Sequence, residues 1–430
     1  MEERKKIEDG NEVILGKDYS NAKRMLAFLS IVVIYFFYCY NFMVGTFVKP
    51  IMVESAVNGG FGFTIKQTSK IFAVMSFGTI PGTIIFGILS SKIGKKYTLM
   101  IVATLISLST FIPMLDYNNY GLWMAARFVT GFTLGGVFGT AMPLTAEIFP
   151  KKYRGKMSAI LTSLFSLAMI FGGAVYGALG DANWKLLMYT AIIPPVIGTV
   201  MVFFFVPNDY EHMKALNKKA AEEKEKISYL NMYKGKYALI GLGVILLSGA
   251  NFTAYSAFSN NATMYLRESV GYSAAVAGSI YSIQGMGQLI GYNFWGMISD
   301  KFGRKKPLAG MALSALVMFL YLKIGADGKT MYMIASLVLG ICFGYSGAWG
   351  AYYTELFPEK FSSMSAGISF NGGRIISSLV LPVIVGFADA TVNGVRNFQA
   401  TFYASMIILV IGAVIWLLLP ETFIKKSEKK

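Results

Sequence analysis

One guanidinium stands in the middle of an otherwise apolar run. Arg374, in FNGGRIISSLVLP, is flanked by Gly372 and Gly373 and followed by Pro382. A charge at the centre of a bilayer costs roughly 2.5–3.5 kcal/mol on insertion scales, so a residue of this type in such a run marks a candidate site. Guanidinium presents a planar fork of donors that matches a carboxylate with two hydrogen bonds, and it stays charged at any working pH. The chemistry implied is capture of an organic anion. Arg127 is a second cation of this kind, nearer the end of its own apolar run. Hydrogen bonding to neighbouring backbone carbonyls would account for it equally well.

Polar and aromatic residues recur at helical spacing around these cations. Tyr40 and Asn41 lie in YCYNF, Asn41 near mid-depth by count. Asn251 and Tyr255 share a face at i, i+4, with Asn260 and Asn261 further out. Tyr281, Gln284 and Gln288 line up on another helix, and Tyr345, Trp349 and Tyr352 on a third. An amide turned to lipid would be unsatisfied, so Asn251 and Gln284 are expected to face a polar interior. Aromatics equally serve packing and interfacial belts. The expected solute pocket comprises Arg374, Tyr40, Asn41, Asn251, Tyr255, Gln284, Gln288, Trp349 and Tyr352. Lys49 ends its apolar run and reads as an interfacial lysine whose stem snorkels outward.

Other chemistries are poorly served. His212, the single histidine, lies in a polar loop, and Cys39 and Cys342 lie in apolar runs. Neither a histidine-based metal site nor a disulfide framework is expected. No nucleophile–base pair or phosphate loop appears, so an enzyme is not expected, nor any cofactor beyond a proton or other coupling ion.

These residues require a membrane to position them. Hydrophobic residues make up 55% of the chain and charged residues 14%, with a mean hydropathy of +0.53. The apolar residues arrive in runs near the ~20 residues that cross a bilayer. The net charge of +16 is concentrated in alternate loops, as at Lys92, Lys95 and Lys96, or Lys301, Arg304, Lys305 and Lys306. That is the positive-inside pattern rather than a nucleic-acid footprint, and it puts both termini of a multi-pass cell-membrane protein in the cytoplasm. No cleavable signal is expected in the polar segment 1–24.

Twelve spanning helices are expected, near 25–49, 70–91, 97–115, 120–147, 157–179, 184–206, 237–265, 273–298, 307–324, 330–355, 363–388 and 397–419. They form two six-helix halves, 25–206 and 237–419, joined by a cytoplasmic helical linker at 207–236 and followed by a tail at 420–430. A repeat supports the division. GILSSKIGKK (Gly87–Lys96) returns as GMISDKFGRK (Gly296–Lys305), an offset of 296 − 87 = 209, with Asp300 where the first copy has Ser91. Glu147-x-x-Pro150 returns as Glu355-x-x-Pro358 (355 − 147 = 208), and Pro207 as Pro420 (420 − 207 = 213). Two halves related by duplication are a transporter architecture.

With these residues in view, the chain resembles the major facilitator superfamily over essentially its whole length. The family phrase G-x-x-x-D-R-x-G-R-R is met by Gly87, Ser91, Gly94 and Lys95, and again by Gly296, Asp300, Gly303 and Arg304. Arg127, Gly131, Gly135, Gly139, Pro143, Glu147, Pro150, Arg154 and Gly155, with Pro420-Glu421-Thr422, look like the branch of sugar porters and organic ion transporters. The stretch around Arg374 is similar to the eleventh span of aromatic acid symporters, where the resemblance implies an anion-binding arginine. It links Arg127 to coupling or gating, and makes Gly87, Gly94, Lys95, Gly296, Asp300, Gly303 and Arg304 a conformational motif. Glu147, Glu355 and Arg154 are expected to pair as a latch across the seam between halves. Ser91 and Ser362, where acid and arginine are usual, imply a looser latch. The first span lacks the aspartates of aromatic acid symporters, so proton coupling does not carry over. The expected function is transport of a small organic anion by alternating access, by a monomer. A neutral sugar or polyol porter is the close rival, and a ligand-binding membrane sensor the alternative from another class.

Overall fold

The structure, a computed structural model, describes residues 14–215, 235–357, 362–392 and 395–422. Among them twelve long helical segments stand out: α1 (Asn21–Val53), α2 (Ile65–Ile93), α3 (Lys95–Phe111), α4 (Tyr120–Ile148), α5 (Lys151–Leu179), α6 (Trp184–Phe205), α7 (Lys236–Glu268), α8 (Ala274–Phe302), α9 (Leu308–Tyr321), α10 (Lys329–Glu355), α11 (Ser362–Val385) and α12 (Phe398–Leu418). Ten are long and apolar enough to cross a bilayer. The other two fall short for different reasons: α8 is diluted by Gln284, Gln288 and repeated glycines, and α9 has only 14 residues. The protein is an all-α, multi-pass membrane protein. A two-residue antiparallel pairing, Thr391–Val392 with Val395–Arg396, interrupts the connection between α11 and α12. Of the expected linker, residues 216–234 lie outside the described residues, as do residues 1–13, Pro358 and the tail from 423.

Helix ends follow local chemistry. Asn119 caps α4 by accepting from the Leu122 N–H, and Ser273 caps α8 by accepting from Val276. α10 is not a continuous α-helix: a tighter turn at Gly344–Ala348 interrupts it.

The chain divides into two compact units. One draws on Met1–Gly45, Val74–Ala168 and Asn183–Lys226; the other on Thr46–Ala73, Met169–Ala182 and Ile227–Lys430. Inside the first unit α2 and α4 cross backbone to backbone. A Cβ on Gly131 would come within 1.7 Å of the Met75 carbonyl oxygen, and one on Gly135 within 2.3 Å of that of Thr79. Gly78 and Gly82 reciprocate against Phe128 and Phe132. Only glycine permits this approach, and without a hydrophobic drive between helices in lipid such close packing is what binds them.

The second unit repeats the crossing between α8 and α10. Gly287 and Gly291 meet the carbonyls of Leu337 and Ile341 at 2.1 and 2.3 Å, while Gly340 and Gly344 meet Gln284 and Gly291. The four pairs share one offset: 287 − 78, 291 − 82, 340 − 131 and 344 − 135 are all 209. The third glycine of the fourth-span series, Gly139, meets nothing within 4 Å, and neither do Gly87 and Gly296.

Candidate functional site

Arg374 sits at the midpoint of α11, 374 − 362 = 12 residues from one end and 385 − 374 = 11 from the other. The two glycines before it let α7 press against that helix. A Cβ on Gly373 would lie 2.4 Å from that of Ser248, and one on Gly372 would lie 3.1 Å from Ile245. The approach brings Phe252 of α7 under the guanidinium, 4.5 Å from carbon to ring centroid, with Phe370 one helical turn away at 5.7 Å. The two rings meet edge to face at 5.0 Å. Such a stack is favourable by about 0.5–2 kcal/mol and leaves the in-plane N–H edge for other partners.

The expected pocket residues fall into separate groups. Phe370 lies 6.4 Å from Tyr353, whose ring stacks on Trp349 at 5.3 Å and whose hydroxyl meets Ser248 at 3.1 Å. Trp349 continues to Tyr345 at 5.5 Å, and the Tyr345 hydroxyl donates to Asn251 Oδ1 at 2.6 Å. Asn251 and Trp349 therefore connect to Arg374 through a chain of rings, buried except at the half-buried Phe370. Tyr255, Gln288 and Gln284 form a second group between α7 and α8. Tyr255 donates to Gln288 at 3.4 Å, Gln288 donates to Tyr292 at 2.9 Å, and Gln284 donates to Ser259 at 2.7 Å. Tyr352 is turned elsewhere, donating to the Pro420 carbonyl beyond α12.

Tyr40 and Asn41 belong to the core of the first unit, and both are fully buried. Asn41 Nδ2 donates to the carbonyls of Phe37 and Ala191, and its Oδ1 accepts from Thr110. Tyr40 bonds Thr190 at 2.9 Å. In place of the expected lining role, the structure uses Asn41 to tie α1 to α3 and α6. Arg127 joins the same knot: its guanidinium donates to the Asn41 carbonyl at 3.2 Å and lies over Trp123.

The repeated phrases build matching charge clusters, one in each unit. In the first, Lys95 donates to both oxygens of Glu147 at 2.7 and 3.0 Å. The Asp209 carboxylate caps α3, accepting from the backbone N–H groups of Lys95 and Lys96 at 2.6 and 3.1 Å. In the second, Arg304 holds Glu355 at 2.6 Å and also pairs with Asp300, while Glu421 accepts from the N–H groups of Arg304 and Lys305 at 3.0 and 3.1 Å. Hydrogen bonds to Glu355, first among the causes, hold the Arg304 pKa above its ordinary value.

Gly94 and Gly303 turn the chain into these caps with φ of +91° and +123°. A Cβ at Gly94 would also collide with Asp209 at 2.6 Å. Glu147 and Glu355 thus find their cations inside their own units, where pairing across a seam was expected. Arg154 donates to the Phe149 carbonyl at 3.1 Å. The side chains of Ser362 and Lys156 lie outside the described residues.

Sequence reasoning missed the two capping acids, and Phe252 and Phe370. A signal for the caps was present, since Asp209 and Glu421 follow the paired prolines Pro207 and Pro420 within two residues. No comparable signal marks Phe252.

A duplicated bundle of bilayer-length apolar helices with glycine crossings and paired charge clusters is the architecture of a membrane transporter. The chain belongs to the Major Facilitator Superfamily, whose profile matches residues 31–265 and 244–430. It is similar to the sialic acid transporter NanX of Escherichia coli, 24% identical over 83% of this chain and 87% of that protein. It is also similar to the glucose transporter GlcP of Staphylococcus epidermidis, 26% identical over 73% and 78% respectively. Among solved structures it matches a D-xylose–proton symporter with a TM-score of 0.72 at 19% identity, covering 93% of this chain and 98% of that one. The protein is a membrane transporter of this family and not an enzyme.

Proposed function

We propose that the chain moves a small organic anion, a monocarboxylate or aromatic acid, across the cell membrane by alternating access, with Arg374 holding the carboxylate. The observation that carries the reading is the placement of this guanidinium. It stands at the midpoint of α11 with its face stacked on Phe252, and a guanidinium fork matches a carboxylate with two hydrogen bonds. A neutral solute needs no fixed cation, and the cost of burying one is offset best by an anionic guest. The likeness to a transporter named for an acid agrees; the likeness to one named for glucose supports the rival, a neutral sugar or polyol porter. Both termini are placed in the cytoplasm by the basic loops.

The test is uptake into proteoliposomes, preceded by a thermal-shift panel of carboxylates and neutral sugars at two pH values, which also reads whether a proton accompanies binding. Arg374→Ala is expected to abolish carboxylate uptake in a protein that remains folded by circular dichroism. Unchanged carboxylate uptake, or stabilisation by sugars alone, overturns the assignment. Ligand binding with no uptake at all would favour the sensor.

A further inference from the structure

Lys49 does not snorkel as its position suggested. It lies 53 − 49 = 4 residues before the end of α1, yet it is 2% exposed. Its amine meets the side-chain oxygen of Asn261 on α7, and among the described residues it makes no other hydrogen bond and no ion pair. Asn261 is oriented for this contact. Its Nδ2 donates back to the carbonyls of Ala257 and Ser256 at 2.8 and 3.4 Å, which aims Oδ1 at the lysine.

The acids of this end of the second unit are committed elsewhere. Glu268 pairs with Arg396 at 2.6 Å. Asp389 accepts from the N–H groups of Ile65 and Lys66 at the start of α2, at 2.8 and 3.0 Å. Asp181 pairs with Arg267 and accepts from the Tyr176 hydroxyl. Glu54 is exposed and holds Asn58 at 2.8 Å. An ammonium has three donors, and one amide oxygen takes one of them. A buried cation is best tolerated when an anion in contact and further acceptors complete it; among the described residues Asp389 and Glu268 act on Lys49 only through space, and no carboxylate pairs with it directly.

We propose that Lys49 is a second anion-binding residue of the carrier, receiving the carboxylate of the solute near the C-terminal end of α1, while Asn261 holds the amine when no anion is present. The inference rests on the carboxylate reading at Arg374, and its test is chosen to fail separately. Uptake of radiolabelled nicotinate, benzoate and N-acetylneuraminate is measured in proteoliposomes, with D-glucose as the neutral comparison. Lys49→Gln keeps a donor for Asn261 and removes the charge. It is expected to raise KM for the acid carried by about tenfold to a hundredfold, the size of a lost charge-assisted hydrogen bond. Lys49→Arg is expected to recover most of that loss.

Asn261→Asp supplies a built-in counter-ion, and is expected to raise KM comparably without lowering thermal stability. Unchanged KM in Lys49→Gln, or a fall in kcat alone, overturns the proposal and reduces Lys49 to a structural tie. If Arg374→Ala still abolishes uptake in that case, the carboxylate reading stands without it. Uptake of none of the three acids overturns both.

Discussion

In the first unit the cation of the repeated phrase is a lysine sealed from solvent; in the second it is an arginine near the surface. Lys95 and Glu147 are 7% and 12% exposed in their side chains and Asp209 is fully buried, whereas Arg304, Glu355 and Asp300 are 14%, 36% and 71% exposed. Both clusters keep the same skeleton, an acid on the long helix pairing with the cation and a second acid capping the next helix. The difference explains the absent acid at Ser91. An arginine fork reaches two carboxylates in different directions, and Arg304 holds Asp300 and Glu355 together. The Lys95 ammonium donates to both oxygens of Glu147 and lies 3.8 Å from the capping Asp209, so its second acid comes from the cap and not from position 91. Ser91 bonds back to the Ile88 carbonyl at 2.7 Å instead. The first cluster is therefore the more buried, and the second the more exposed and the richer in charged side chains.

Three comparisons test this contrast. The largest effect is expected at the primary pair: Glu147→Ala leaves the buried Lys95 ammonium with only Asp209 at 3.8 Å and should destabilise by about 2–3 kcal/mol, against less than about 1 kcal/mol for Glu355→Ala. Denaturation in detergent at low and high salt reads both, and equal losses would dissolve the distinction. Next come the caps. Asp209→Ala should cost about 1–2 kcal/mol and Glu421→Ala about half of that, because the second cap is exposed and water replaces it more readily. A larger loss at Glu421 would reverse the ranking. The smallest effect concerns the motif acid. Ser91→Asp alone should leave thermal stability within about 0.3 kcal/mol, while Ser91→Asp with Lys95→Arg should show a favourable coupling of about 0.5 kcal/mol in a double-mutant cycle. Additive behaviour would mean that cation shape does not govern the need for the acid.

Much of the architecture was legible because a membrane imposes it. Apolar runs of bilayer length had to become helices, since in lipid each backbone N–H must be satisfied within its own segment. The repeat was equally readable, yet its packing meaning was not. Gly78, Gly82, Gly131 and Gly135 stand in plain view with their partners 209 residues on, but which helix each one admits depends on contacts far apart in sequence. Candidate pocket residues divided on the same ground. Arg374 was recognisable from depth alone, whereas its ring partner Phe252 lies 374 − 252 = 122 residues away. Asn41 looked like pocket lining because mid-depth amides need partners; its partners turned out to be Thr110, Phe37 and Ala191. Lys49 looked interfacial because a long stem ordinarily escapes to water, and burial beneath α7 prevents that escape.

Composition, hydropathy and duplication determined that this chain is a twelve-helix carrier, because bilayer thickness and backbone hydrogen bonding leave few alternatives. Tertiary structure decided which polar side chains are consumed by one another and which helices approach closely enough to pack backbone to backbone. That division depends on angles and distances between helices, and no residue carries that information in its own identity.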